Sequence, residues 1–582
     1  MCIEKQLVME IRFVLLVLFV FLSGCKNSDQ KKEKLVVTAT KMCAPITTDR
    51  SWYLSEKKAP LFEGMGELHF PISTKNELVQ KYVNQGLVLA YGFNHAEAAR
   101  SFYYATKLDP NCAMAFWGYA YVLGPNYNAG MDTDNYRYAY QAIQKALTLS
   151  KEKNVTQRER DLIQALSTRY VSSPVEDRLD LDIAYADAMK ALFKTYSEDA
   201  DIGVLYVESL MNLHPWDLYD KEGKEKKWTP EIVSVLEKII EKYPRHPGAH
   251  HFYIHAVEAS NIPERALKSA ELFDKGLVAN AGHLVHMPSH VYIRTGDYHK
   301  GTLANLQSIK VDSAYVTACN AQGAYPLAYY PHNQHFMAAT ATLEGNSKWA
   351  LYAAEALKST INKQLMKDPD WSTIQHYYTI PYYVYVKFGK WDRILDMENE
   401  FPELVYPTAI WHYARGMSYT GKGNLMAAKM ELEALEKVIG THKELKEITI
   451  WNINSVYDLV QIAQKVLKAS IVAQEGDFLQ SIDLLKDAVA IEDSLNYNEP
   501  PDWFFSVRHY LGAVQLEAGA YENAISTYQQ DLRNLPKNGW ALRGLSLAYS
   551  KLGDESNRKR IEEMFTTAWR TADMKINTSI VK

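Results

Sequence analysis

Histidine is the residue whose placement in this chain could do chemistry. Its 17 copies among 582 residues are unevenly placed, and nine of them crowd into three short stretches. The first runs His246-Pro-Gly-Ala-His250-His251-Phe-Tyr-Ile-His255-Ala-Val-Glu258, the second His283-Leu-Val-His286-Met-Pro-Ser-His290, and the third Tyr329-Tyr-Pro-His332-Asn-Gln-His335. Steps of three and four residues put His251, His255 and Glu258 on one face of a helix, and His283, His286 and His290 on one face of another. Neutral imidazole suits a transition metal such as zinc, copper, nickel or iron, and no thiolate stands nearby to select copper(I). Neither stretch is the HExxH of a metalloprotease. The eight candidate ligands are His251, His255, Glu258, His283, His286, His290, His332 and His335. They exceed one tetrahedral shell, which leaves room for two metals or for acid–base work by the remainder. Two other readings stand beside metal. One is a metal-free polar groove that binds a protein, peptide, glycan or anion, with Tyr292, Tyr329 and Tyr330 adding aromatic contact. The other is a structural hydrogen-bond network.

What positions these residues is a repeat. Gly86, Ala98, Phe102, Ala105 and Pro110 are separated by the same intervals as Gly512, Ala524, Tyr528, Asp531 and Pro536 at the other end of the chain. Those are the spacings of the tetratricopeptide repeat (TPR), in which a small residue in one helix admits its partner and proline ends the unit. A Gly-x-aromatic turn recurs at Gly296, Gly389, Gly476 and Gly519. Counting back from these turns places first-helix anchors near Gly86, Ala120, Ile254, Ser289, Ala338, Tyr382, Gly416, Ala469, Gly512 and Ser546. Measured from the anchors, His283 and His332 fall at minus six, and His251, His286 and His335 at minus three. His255 and His290 fall at plus one, Glu258 at plus four, and His376 returns to minus six in the next unit. One register therefore aims them all at the concave side of an all-α, TPR-like right-handed helical solenoid.

The N-terminus reads as a targeting segment. Phe13 to Leu22 is apolar but shorter than the roughly 20 residues that span a bilayer. It ends in Leu22-Ser-Gly-Cys25, which resembles a bacterial lipoprotein signal, so Cys25 is the expected lipidation site. The charged stretch after Cys25 lacks aromatic residues and reads as a tether. The organisation is then a signal at 1–24, a tether at 25–50, N-terminal repeats at 60–130 and a helical region of unreadable phase at 131–245. Central histidine-rich repeats follow at 246–400 and C-terminal repeats at 401–575. A net charge of −5 gives no basic field for nucleic acid. Cys43, Cys112 and Cys319 are too widely spaced for a disulfide framework.

Residues Asn84 to His95, Leu108 to Gly118, Tyr253 to Ser260, His283 to His290, and Asn498 to Trp503 with Arg508-His509, resemble a family of secreted bacterial tetratricopeptide proteins of uncharacterised role. Members of that family look like periplasmic or surface proteins, and the signal at Cys25 with no Asp after it and the charged stretch behind it imply an outer-membrane lipoprotein, periplasmic or surface-facing, bound to the membrane through its acyl chains. In Bacteroidota such lipoproteins can sit beside polysaccharide-uptake systems, so the resemblance also implies an accessory role there. It implies no reaction. The working expectation is an anchored scaffold with a histidine-rich groove that binds a partner or substrate with a transition metal. A metal-dependent enzyme and a purely structural adaptor are the alternatives. Two smaller features carry their own expectations. His214-Pro-Trp216-Asp217 breaks a helix and drops a loop toward the groove, and Asn498 to Trp503 forms a rigid structural loop.

Overall fold

Glycine at mid-helix costs stability unless something needs the missing Cβ's space. Here aromatic rings need it. In the computed structural model, a Cβ added at Gly86 would lie 2.6 Å from the Phe102 ring, and one added at Gly118 would lie 2.1 Å from the same ring. Phe102, on the helix His95–Leu108, thus fills the gap between the helices Glu77–Tyr91 and Ala113–Leu123. At the far end, Tyr528 sits between Gly512 and Gly544 in the same way, at 2.4 and 2.2 Å. Gly118→Ala is therefore expected to overpack this contact and destabilise the protein by about 1–3 kcal/mol, read as a lower denaturation midpoint.

The structure describes residues 50–55, 57–319, 321, 325–503 and 505–581. The signal and tether readings, with Cys25 and Cys43, lie outside the described residues. The described part is all-α and TPR-like: antiparallel helix pairs follow one another along the chain. All ten anchors expected from spacing lie in helices and are buried. The turn glycines Gly296, Gly389, Gly476 and Gly519 have positive φ, from 63° to 91°, which ends each first helix in the left-handed conformation glycine tolerates. The stretch that resisted phasing contains the helices Gln157–Ser167, Leu179–Thr195, Ala200–Leu213 and Thr229–Lys242. Their connections lack the Gly-x-aromatic turn, which is why the period could not be followed through them. The only sheet among the described residues is a two-residue antiparallel ladder, Thr449–Ile450 with Asn454–Ser455. No described helix is long and apolar enough to cross a membrane.

Distant repeats also touch. Tyr298 donates a hydrogen bond to the Pro536 carbonyl at 2.7 Å, and Trp540 donates to the Thr342 carbonyl at 2.9 Å. Trp216 donates to Asn128 Oδ1, whose amide nitrogen in turn donates to Tyr329. These links close the repeats over the central histidines, so the histidine-bearing faces are interior rather than open to a groove.

Candidate metal centre

Three first helices carry the cluster. Pro247–Val257 starts at His246, whose Nδ1 accepts from the Ala249 N–H, with proline at the first turn where no amide donor is needed. Its C-terminal end presents His251, His255 and, one residue past the helix, Glu258. The second element is broken by Pro288 into Gly282–His286 and Pro288–Thr295. The third is Tyr330–Leu343. Gly282 is required here: a Cβ would lie 1.8 Å from Asp312 Oδ1. That carboxylate accepts from Tyr325, and the Tyr325 hydroxyl accepts the His283 backbone N–H at 3.0 Å. Gly282, Asp312 and Tyr325 thereby set where His283 stands.

The histidines meet in a regular ladder. Each minus-three imidazole contacts the minus-six imidazole of the next repeat: His251 with His283 at 5.1 Å between ring centres, His286 with His332 at 4.9 Å, and His335 with His376 at 5.4 Å. Successive first helices are thus offset by one turn. The plus-one rings, His255 and His290, meet at 5.3 Å, and Glu258 lies between them. Glu258 Oε1 accepts from His255 Nδ1 at 2.9 Å, and Oε2 accepts from His290 Nδ1 at 2.6 Å. His251 Nε2 and His283 Nε2 are 3.2 Å apart, and His286 Nε2 and His290 Nε2 are 2.7 Å apart. His286 Nδ1 donates to Asn305 Oδ1 at 2.7 Å.

Seven of the eight expected residues therefore converge: His251, His255, Glu258, His283, His286, His290 and His332. Their possible ligand atoms form three groups, within each of which all atoms lie within 4.8 Å of one another. The groups are His251–His255–His283, His286–His290–His332 and His255–Glu258–His290. His335 is in none of them. It belongs with His376 and Tyr377, and His376 is bonded to the Tyr406 hydroxyl at 2.8 Å.

Burial governs the electrostatics. Loss of hydration, reinforced by neighbouring imidazoles, holds His251, His283, His286 and His332 well below the usual histidine pKa, so they are neutral ligand-competent rings at neutral pH. Burial opposes charge at His290 too, but Glu258 and then Glu499 outweigh it and raise that pKa to about 10. Burial also opposes charge on Glu258, yet His255 and His290 hold it down to about 2. His251 Nδ1, His283 Nδ1 and His255 Nε2 have no hydrogen-bond partner. Unpaired buried polar atoms are costly, and three in one cluster fit a site built for a ligand.

Glu499 is a member that spacing did not reveal. Its Oε2 lies 2.8 Å from His290 Nδ1, a second ion pair on the nitrogen that Glu258 holds at 2.6 Å. Burial, with the Glu258 charge, pushes its pKa up to about 7 against the pull of His290. The segment 498–503, expected to be purely structural, thus supplies a carboxylate to the site. The loop at Trp216 does reach the cluster as expected, its ring 6.0 Å from His255. Trp216, Trp451, Tyr329 and Glu499 bound a cavity of about 30 Å³ against His255, His283, His290 and His332. That volume holds one or two waters, too little for a peptide or sugar. Asn498 and Glu499 also line a larger cavity of about 560 Å³.

Asp312 gives the site a pH signature. Burial raises its pKa from 3.8 to about 7, although Tyr325 and Asn333 donate to it. The unfolded chain releases this proton near pH 3.8 and the folded chain near 7, so its contribution to stability falls between those values and is flat above them. Asp312→Asn is expected to melt closer to wild type, or above it, at pH 7.5 than at pH 4.5. Thermal denaturation at both values checks this, and an unchanged gap would contradict it.

No protein-family profile and no curated protein matches the chain. Among solved structures it is similar to human IFIT1 with m7Gppp-AAAA, with 12% identity, TM-score 0.30, and coverage of 86% of this chain and 91% of that one. It is also similar to yeast Tom70, with 14% identity, TM-score 0.32, and coverage of 84% and 93%. The TPR domain of P58(IPK) gives 12% identity, TM-score 0.20, and coverage of 82% and 99%. Likenesses this distant carry nothing about ligand, partner or reaction, and the architecture stands on its own helices.

Proposed function

We propose that this protein binds a transition metal in its buried histidine cluster. We further propose that it is held at the outer membrane by acyl chains on Cys25, and that its repeats act as a scaffold toward a protein partner. The observation that carries the metal reading is the convergence of His251, His255, Glu258, His283, His286, His290 and His332 into groups of ligand spacing. Imidazoles in that arrangement suit zinc, copper or iron, with the ion taking the place of the proton on His290. The membrane reading is supported by Leu22 to Cys25 and the charged stretch behind it. Full-length protein purified in detergent without an affinity tag should carry stoichiometric metal after dialysis against a weak chelator. Its metal content should fall when His286 and His290 are both replaced by alanine. Metal-free protein that also fails to take up zinc(II) or copper(II) would end the metal reading. Metabolic labelling with palmitate, lost in Cys25→Ser, tests the anchor separately.

A second reading, a metal-dependent enzyme, is favoured by one feature. Glu499 faces the small cavity beside the imidazoles and keeps its Oε1 unpaired, where it can take a proton from a water.

A further inference from the structure

Resting on the metal reading above, the geometry points to two ions rather than one. His251, His255 and His283 hold the first, and His286, His290 and His332 hold the second, with Glu258 orienting both shells from between them. The three candidate groups overlap. The one containing Glu258 shares His255 with the first triad and His290 with the second, so one central ion and two flanking ions exclude each other.

Ring spacing suits each triad. With metal–nitrogen bonds of about 2.0–2.1 Å, imidazole centres around one tetrahedral ion lie about 5 Å apart. The first triad measures 4.7, 5.1 and 6.1 Å, and the second 4.6, 4.9 and 5.8 Å. Hydrogen bonds then decide between the arrangements. Glu258 accepts an Nδ1–H from His255 with one oxygen and from His290 with the other. A carboxylate that takes Nδ1–H fixes the tautomer and leaves Nε2 as the ligand, the usual second layer of a histidine-bound metal. For His255 that nitrogen has no partner and is the one left for the triad with His251 and His283. For His290 it lies 2.7 Å from His286 Nε2. His286 is fixed in the same sense, because Asn305 accepts its Nδ1–H. Two ring nitrogens so close need a cation between them, and a metal ion can take the place of the proton. A central ion would have to displace both Nδ1–H bonds and would leave His255 Nε2 without a partner.

The ligand class follows from the donors. Two all-imidazole shells without thiolate favour borderline divalent ions, copper(II) or zinc(II). The cavity of about 30 Å³ borders His255 and His283 of one triad and His290 and His332 of the other. A small bridging ligand there would reach both ions.

The test is a count on full-length protein. Apo protein loaded with copper(II) and dialysed against weak chelator should retain two equivalents, and its electron paramagnetic resonance signal should be broadened by copper–copper coupling. His251→Ala and His332→Ala should each retain one equivalent with an uncoupled signal. One equivalent in wild type, or loss of all copper in either single variant that still folds by circular dichroism, overturns the two-ion inference. No retained copper or zinc at all overturns the metal reading itself. The wild-type count depends on no variant folding.

Discussion

Glu258→Gln is expected to cost the protein at least one of its two metal ions and more stability than any single histidine substitution. Glutamine matches the shape of glutamate but not its bonding. Glu258 accepts from two imidazoles, one on each oxygen. Glutamine offers one acceptor and one donor, so either His255 or His290 must turn its Nδ1 into an acceptor and carry its proton on Nε2. That nitrogen is then blocked as a ligand. Loss of such an orienting partner lowers metal affinity by about 10–100-fold. The apo protein suffers as well. Glu258 is 1% exposed and offsets the charge on His290, which is also 1% exposed. Removing one member of a buried pair costs about 3–5 kcal/mol, because the other is left uncompensated. Metal analysis and denaturant titration of Glu258→Gln together check this. Glu499→Gln is the comparison, since Glu499 pairs with His290 but not with His255 and its loss should leave the His255 shell intact. Full metal retention in Glu258→Gln would remove Glu258 from its orienting position.

How much of this was legible in the sequence depends on how far apart the partners lie. The repeat was legible because Gly86 and Gly512 each stand in the same relation to one ring, Phe102 or Tyr528. The convergence of His251, His283, His286 and His332 was legible because a register read from turn glycines fixes which face each residue takes. The offset between successive helices was not. It pairs a minus-three ring with the minus-six ring of the next unit, and so carries His335 away to His376. Glu499 left no signal either: it comes 209 positions after His290, in a segment outside the histidine register. Asn305 lies on the partner helix Tyr298–Cys319, where an asparagine looks like any other. The same limit explains why the spacing suggests an open groove. Periodicity reports which way a helix faces, but not that Trp216 and Trp451 cover that face.

The covering depends on contacts between distant repeats, and Trp540→Ala is expected to undo one of them. Trp540 is fully buried. Its indole N–H bonds the Thr342 carbonyl, its ring meets Trp569 edge-on at 5.2 Å, and the Lys387 amine sits 3.9 Å over its face. Thr342 ends the helix that carries His332, so the indole ties the C-terminal repeats to a wall of the metal centre. Burial holds Lys387 well below the usual lysine pKa, opposed by the Asp531 charge, and its amine contacts His509 Nδ1 at 2.9 Å. Removing the ring opens a cavity beside this amine, admits water and lets it recharge. Truncating a buried Trp costs about 3–5 kcal/mol, a large part of the 5–15 kcal/mol typical of a folded domain. The denaturation midpoint should fall accordingly, and transfer of bound copper to a chelator should quicken. Gly118→Ala separates the two effects, because it destabilises the first repeats without touching the closure. If both variants release copper at the same rate when compared at matched stability, global unfolding controls release and the closure does not guard the centre. If Trp540→Ala releases it faster at matched stability, the return of the C-terminal repeats over the histidines is what keeps the ions in place.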